Sequence, residues 1–286
     1  MCKRGEKIRV VGVSRGNEYS PNHVDNDAAI LRLAAEALER MGCEVTIYPE
    51  KEFVAQNIEG EFIFDMARDR ATIERLKKLE DGGALVVNSA YGIDNCVRQQ
   101  MTELLVENEV PHPRSFIILL MKITPSVFPC WIKRGNSHAM VKEDVVYVEC
   151  REEAEVVMAD FRKRNIPVAV VNEHLVGDLV KFYGVQGTDF FYTFYPTEQS
   201  HSKFGLEAST EHERFPVRCQ AASGIRQQGS EVLNVPVYGG DCVVSATGEI
   251  RIIDFNDWPS FARCREEAGP EIAKCIYNRI IHKLEK

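Results

Sequence analysis

The sequence predicts an α/β and α+β protein, in which a small parallel α/β domain precedes a larger module of mixed sheets. A β-rich run, an amphipathic helix and a second β-rich run follow one another within residues 8–48, and this order is typical of a βαβ unit with parallel strands. After residue 111 the chain instead carries paired strand patterns separated by short turns, which favour antiparallel pairing. A length of 286 residues allows about two domains.

The N-terminal elements are predicted from the spacing of apolar residues. Residues 27–41 repeat apolar side chains at helical intervals and end at Gly42, so they predict a helix with one buried face. We predict strands at residues 8–13, 44–48 and 84–88, and a second helix at residues 72–79. Together these elements predict an N-terminal domain of residues 1–90.

The later elements predict a connecting helix and a mixed α+β module. A helix is predicted from Asp94 to Asn108, because Pro111 and Pro113 disfavour helical backbone before them. Further strands are predicted at residues 116–121, 130–133, 145–148, 168–172, 179–185 and 190–195, and helices at residues 152–164, 220–233 and 270–284. The polar residues 196–216 are expected to form a loop or lid.

The composition limits the partners and the compartment. A net charge of -8 gives no bulk attraction to nucleic acid or to an anionic membrane, and no apolar run is long enough to span a bilayer. The first residues lead into a strand rather than a signal-peptide core, so we expect a cytoplasmic protein. Nine cysteines without a C-x-x-C pair are expected to be mostly buried thiols rather than a zinc site or a nucleophile.

A predicted β-hairpin near the C-terminus carries the residues that point most directly to chemistry. Two apolar runs flank a polar turn that contains glycine. On the second strand, alternation places Asp254 and Asn256 on one face and Ile253 and Phe255 on the other, and antiparallel pairing brings Asp241 close to the polar face. Two carboxylates and an amide are oxygen ligands suited to Mg²⁺. The alternative is an ordinary hairpin with a solvated polar face.

The order of these features resembles the ATP-grasp superfamily over nearly the whole chain. The similar elements are the strand that ends in Val-Val-Asn-Ser at residues 86–89, the helix from Asp94, the proline turn at residues 111–113, and a strand that bears Lys133 and is followed by the loop at residues 134–140. The resemblance implies an ATP-grasp fold in which two lobes clasp ATP, with Lys133 on its phosphates. It implies a connecting segment at residues 91–115, a first lobe at 116–172 and a second lobe at 173–286. A lysine on a strand presents its charge to phosphate oxygens while loop amides close over them.

The same resemblance implies the rest of the nucleotide site. Glu173, His174 and Leu175 lie where the superfamily has the hinge that lines the base, and Asp178 is the implied ribose contact. Lys181 lies on the following strand, where relatives carry a basic residue that faces the transferred phosphate or the acceptor.

The resemblance also implies the metal ions, and the sequence departs from the superfamily pattern at two positions. Asp241, Asp254 and Asn256 resemble the metal ligands, which implies Mg²⁺, with two ions or with Mn²⁺ as variants. Relatives often carry an Asp-Lys pair on the connecting helix, and here Arg98 is the candidate to replace that charge at ATP. Ser260 stands where the usual Asn-x-x-Pro-Gly run has glycine, which puts the identity of the acceptor in doubt.

The acceptor remains open between several reactions. The commonest branch, which includes ligases similar to glutathione synthetase and glutamate ligases, activates a carboxylate as an acyl phosphate for an amine or thiol; the partners would then be a small-molecule acid and its acceptor. Arg218 and Arg226 are able to clamp a carboxylate, and Arg15 and Arg68 occur where the first domain faces the acceptor.

Two alternatives stand beside the ligase. The loop that contains His138 and the strand that contains Lys181 look similar to the inositol trisphosphate 5/6-kinase branch, where these residues would face a phosphorylated polyol. The other alternative is a non-catalytic nucleotide-binding regulator. The oligomeric state is not predicted.

Overall fold

The N-terminal part is a parallel sheet with helices packed on it. The computed structural model describes residues 7–20, 24–119, 124–137, 139–196 and 219–286. Its first four strands are β1 (Ile8–Ser14), β2 (Cys43–Pro49), β3 (Phe62–Asp65) and β4 (Leu85–Val87). They pair in parallel in the order β2-β1-β3-β4. The predicted parallel α/β arrangement is confirmed.

The first helices have the predicted apolar faces, with some differences in extent. The helices are α1 (Val24–Arg40), α2 (Glu50–Ala55) and α3 (Arg70–Asp81). Ile30, Leu31 and Leu38 of α1 are buried at helical spacing, as the sequence predicts. The strand β3 and the short helix α2 were not predicted. Because β3 has four residues that are all buried, it shows no alternation that would identify it.

The single helix predicted from Asp94 to Asn108 is wrong. Two helices occupy this segment, α4 (Ala90–Asn95) and α5 (Arg98–Glu107). Val97 between them has extended backbone, with φ -64° and ψ 132°. A tertiary contact fixes the break, since Asn95 Nδ2 donates to the carbonyl oxygen of Leu233 at 3.2 Å. The break places Arg98 at the start of α5.

The middle of the chain forms an antiparallel sheet with one helix on its back. The strands β5 (Ser115–Leu119), β6 (Cys130–Arg134), β7 (Val145–Val148) and β8 (Val168–Glu173) pair in the order β5-β8-β6-β7. The helix α6 (Arg151–Lys163) packs against Cys130 and Ile132 of β6. Because side chains alternate along a strand, Trp131 and Lys133 lie on the opposite face of this sheet.

The C-terminal part holds the predicted hairpin within a second antiparallel sheet. The strands β9 (Asp178–Val185), β10 (Phe191–Phe194), β11 (Val237–Val244) and β12 (Ile250–Asp257) pair in the order β10-β9-β11-β12. Two helices complete it, α7 (Cys219–Leu233) and α8 (Arg265–Leu284). The helix α8 begins before its predicted start at Pro270 and packs on α1, so the end of the chain lies against its beginning.

Several predictions concern parts that are outside the described residues or untested. The predicted loop at residues 196–216 lies outside the described residues from residue 197 onward. The domain boundaries after residues 90, 115 and 172 stay predictions. None of the described helices has both the length and the apolar character needed to cross a membrane.

Candidate functional site

Two acidic residues of the hairpin, Asp241 and Asp254, lie directly opposite each other. Asp241 of β11 pairs with Asp254 of β12, which confirms the predicted proximity. A bulge follows, because Cys242 pairs with Ile252 and leaves Ile253 as an extra residue. Strict alternation is therefore wrong at this point. Ile252 is buried while Ile253 is half-buried.

A lysine from the neighbouring strand completes this row of charged side chains. Lys181 of β9 is the register partner of Asp241, and its Nζ lies 2.9 Å from Asp241 Oδ1. The two side chains are 19% and 18% exposed, so solvent reaches them only in part. Lys181, Asp241 and Asp254 thus occupy adjacent positions on three adjacent strands.

Lys133 reaches the same place from the opposing sheet. Its Nζ donates to the carbonyl oxygen of Ile253 at 3.3 Å, and the residue as a whole is 7% exposed. Burial, and to a smaller extent nearby Arg98, lower the pKa of Lys133 to about 8, while Asp254 and Asp241 oppose the shift. These two carboxylates therefore favour the charged form of Lys133.

Arg98 supplies a third cation at the start of α5. Its Nη1 donates to the carbonyl oxygen of Arg134 at 2.9 Å, and its Nη2 lies 3.9 Å from Asp254 Oδ2. The Nε of Arg98 is buried and has no hydrogen-bond partner in the described residues. A guanidinium held beside a carboxylate with an unused donor is suited to a phosphate oxygen.

An aromatic cluster on the same sheet face as Lys133 was not predicted from the sequence. Trp131 and Tyr147 are register partners on β6 and β7, with ring centroids 5.3 Å apart. Trp131 Nε1 donates to His174 Nδ1 at 3.2 Å, and the His174 ring lies 5.1 Å from that of Tyr147. The signal was available, since Trp131 is two residues before Lys133 and therefore shares its strand face.

The predicted hinge lines a cavity, and the carboxylate of its Glu173 already has hydrogen-bond partners within the protein. A cavity of about 260 Å³ is lined by Glu173, His174, Leu175, Val176, Val243, Ser245, Glu249 and Arg251. Glu173 Oε1 accepts from Arg251 Nη1 at 2.8 Å and from the amide of Arg114 at 2.9 Å. Asp178, the predicted ribose contact, is 1% exposed and does not line this cavity.

Arg15 and Arg68, which were predicted to face the acceptor, both have partners inside the protein. Arg15 donates to Asp27 at 2.9 Å and to the carbonyl oxygen of Trp258 at 3.1 Å. Arg68 pairs with Asp257 and donates to its carbonyl oxygen. Both arginines therefore hold the turn after Asn256 against the N-terminal sheet, and this positioning was not predicted.

Three predicted site residues cannot be placed. His138 and Arg218 lie outside the described residues, and Arg226 is in α7 but its side chain is not described.

The cysteines agree with the expectation of buried thiols. Of the seven cysteines whose side chains the structure describes, all but Cys150 are buried. Burial raises the pKa of Cys96 well above its usual value, which makes it a poor nucleophile. Within the described residues, no group of three His, Cys, Asp or Glu side chains could hold a metal ion.

Comparisons with known proteins give structural similarity only. No family model matches the chain, and no curated protein does. D-alanine–D-alanine ligase from Bacillus anthracis is similar, with a TM-score of 0.67, 11% identity, and coverage of 97% of this chain and 99% of that one. The same enzyme complexed with ATP gives a TM-score of 0.69 at 11% identity with the same coverage. The D-alanine–D-alanine ligase from Coxiella burnetii gives 0.67 at 12% identity, over 98% of this chain and 97% of that one.

The similarity extends over the parallel sheet and both antiparallel sheets, because it covers nearly the whole chain. At identities of 11–12% it establishes the fold. The chain therefore has the ATP-grasp fold, which it shares with D-alanine–D-alanine ligases.

Proposed function

We propose that the protein is a Mg²⁺- and ATP-dependent ligase that activates a carboxylate as an acyl phosphate for attack by an amine. The observation that carries this proposal is the convergence of Lys133, Arg98 and Lys181 on Asp241 and Asp254 between two antiparallel sheets. Three cations and two carboxylates suit a metal-bound triphosphate. The shared fold supports it, since one neighbour was determined with ATP.

The nucleotide would lie between the two antiparallel sheets, with its base near the hinge. Trp131, Tyr147 and His174 offer aromatic surface for a base at the same sheet face as Lys133. Aromatic side chains stack on nucleobases. Lys133 and Arg98 would then meet the phosphates. Glu173, His174 and Leu175 are the proposed contacts of the base. Asp178 is the proposed ribose contact, although it is 1% exposed and does not line the cavity beside these residues.

The chemistry of the acidic side chains fits Mg²⁺. Asp241 and Asp254 are cross-strand partners, and Asn256 follows on the same face of β12. All three offer oxygen ligands, and so few protein ligands leave positions for water and phosphate oxygens, as Mg²⁺ prefers. When bound, the ion supplies charge that offsets the charge on the transferred phosphoryl group. Two ions, or Mn²⁺ in their place, are part of this proposal.

The chain's own residues would bind and orient the reactants. A carboxylate oxygen of the acid attacks the terminal phosphorus and ADP leaves; the amine then attacks the acyl carbon, phosphate leaves, and the amine loses a proton. Lys181 lies beside Asp241 and would face the transferred phosphate. His138, Arg218 and Arg226 remain proposed contacts for the phosphate or the acid.

Amino acids are the class of acid and amine to test first, because the similar structures are ligases named for D-alanine. An amine is proposed ahead of the thiol for the same reason. The inositol-phosphate kinase alternative is not favoured, since the similar structures reported above are ligases. We have no observation that favours a regulator without activity.

The test follows ADP and free phosphate separately in the purified protein with Mg²⁺, ATP and pooled D- and L-amino acids. The ligase releases both products only with amino acids present. ADP without free phosphate would instead indicate a kinase, and neither product with any pool would contradict the proposal. Asp254→Asn should abolish turnover, because it removes the charge of a metal ligand, whereas Asp160→Asn on the exposed face of α6 should leave it unchanged.

A further inference from the structure

The ion pair between Lys181 and Asp241 is unexpected for a metal ligand. Asp241 Oδ1 accepts from Lys181 Nζ at 2.9 Å, and the two residues are register partners on β9 and β11. A carboxylate that binds Mg²⁺ must offer an oxygen to the ion at about 2.0–2.1 Å. The ammonium of Lys181 would therefore compete with an ion for this carboxylate.

The second carboxylate is also surrounded by positive charge. Asp254 lies 3.9 Å from the guanidinium of Arg98, and Lys133 donates to the carbonyl oxygen of the preceding residue, Ile253. Lys133 interacts electrostatically with both Asp254 and Asp241.

The charges in this cluster, which consists of Arg98, Lys133, Lys181, Asp241 and Asp254, do not balance. Among the described residues that form it, three cationic side chains outnumber two carboxylates, which leaves an excess of positive charge within these five residues. A divalent cation that binds alone would raise this excess in a partly buried site. A triphosphate reverses it, because its oxygens bring several negative charges and accept from all three cations.

We propose that Lys181 neutralises Asp241 until nucleotide binds, and that it exchanges this carboxylate for the terminal phosphate when metal and nucleotide are bound together. Lys181 then has two positions, and the site takes up metal as a nucleotide complex. This inference rests on the proposed function, since it requires that Asp241 is a metal ligand.

Mn²⁺ tests the proposal, because the paramagnetic resonance signal of the free ion reports binding without turnover. We would titrate Mn²⁺ into the full-length protein with and without a non-hydrolysable imido analogue of ATP. The wild-type protein should bind Mn²⁺ at least about tenfold more tightly with the analogue than without it. Lys181→Met removes the competing ammonium, so it should tighten binding of Mn²⁺ alone by about tenfold and shrink the effect of the analogue.

Two further variants keep the outcome readable. Lys181→Gln retains a hydrogen bond to Asp241 without the charge and should behave like Lys181→Met, with cooperative thermal unfolding as the check on folding. Lys142→Met removes an exposed lysine outside the site and should bind Mn²⁺ as the wild type does.

Two results would overturn the inference in different ways. If Lys181→Met and Lys181→Gln both bind Mn²⁺ alone no more tightly than the wild type, the exchange is wrong although the ligase proposal stands. If the wild type binds neither the analogue nor Mn²⁺ in its presence, the nucleotide site itself is wrong, and both proposals fail.

Discussion

Lys133 on β6 donates a hydrogen bond to the carbonyl oxygen of Ile253 on β12, with the two atoms 3.3 Å apart. Ile253 is the extra residue of the β-bulge beside Asp241 and Asp254. The contact therefore joins the face of one antiparallel sheet to the acidic residues of the other. It also places the ammonium of Lys133 between the two sheets, where the proposed triphosphate would lie.

The first prediction concerns pH and Lys133. Its pKa in the folded protein is lowered to about 8, so the ammonium is present below this pH and is lost as pH rises through it. Affinity for an ATP analogue should fall above about pH 8, by up to about tenfold per pH unit. Lys133→Arg keeps its charge and should remove most of this decline. Isothermal titration across the range measures it, and a wild-type affinity that stays constant to about pH 10 would be the contrary result.

The second prediction concerns the base. Trp131 lies in the aromatic cluster, whereas Trp258, the other tryptophan of the chain, is fully buried. Tryptophan fluorescence should change when the ATP analogue binds, and the change should persist in Trp258→Phe and disappear in Trp131→Phe. Trp131→Leu should weaken binding about tenfold, since stacking of a base on an aromatic ring contributes about 1–3 kcal/mol. Tyr91→Leu changes an exposed aromatic residue outside the aromatic cluster and serves as the control. Equal losses of affinity in both variants would argue against stacking of the base on the aromatic cluster.

The third prediction concerns the contact between Arg68 and Asp257. Asp257 is 1% exposed and Arg68 is its ion-pair partner. Arg68→Met removes the direct ion-pair partner of this buried carboxylate and should lower the free energy of unfolding by about 3–5 kcal/mol in urea. The double variant with Asp257→Asn should recover part of the loss. The exposed pair Arg151 and Glu155 is the matched control, where Arg151→Met should cost under about 1 kcal/mol; a similar cost at both arginines would show that the buried pair is not special.

The fourth prediction concerns Asp65. Burial raises its pKa from 3.8 to about 8, and one of its oxygens has no hydrogen-bond partner in the described residues. Between these two values the folded state holds a proton that the unfolded state releases, so stability is lost as pH rises through this window. The contribution is about 1.4 kcal/mol per pH unit.

Asp65→Asn cannot ionise, so its unfolding free energy should fall less steeply with pH than that of the wild type. Chemical denaturation at a series of pH values measures both slopes. Glu44→Gln on β2 is exposed and should follow the wild type. Parallel slopes for Asp65→Asn and the wild type would mean that Asp65 ionises normally in the folded protein.

Local patterns were sufficient to predict most of the fold. The parallel order of β1 and β2 follows from one helix between two strands, and the hairpin itself follows from a short turn between two apolar runs. The pairing of Asp241 with Asp254 depends on the bulge at Ile253. The placement of Lys133 needed the resemblance to a known superfamily, because a lysine on a strand is by itself ambiguous.

The features that were missed depend on contacts between distant parts of the chain. The break before Arg98 is fixed by a contact of Asn95 with Leu233. The engagement of Arg68 by Asp257 joins residues 189 positions apart. The bulge at Ile253 is a local irregularity, but strict alternation has no means of showing it. Periodicity reports which face of an element is apolar, and it carries no information about which polar groups will meet.

The acyl phosphate is the central claim, and an isotope measurement tests it most directly. The acid is supplied with its carboxylate oxygens replaced by a heavy oxygen isotope, together with Mg²⁺, ATP and the amine, and the released phosphate is analysed by mass spectrometry. If the carboxylate attacks the terminal phosphorus, one heavy oxygen is carried into each phosphate released. Phosphate without the label, formed together with the amide product, would contradict the account.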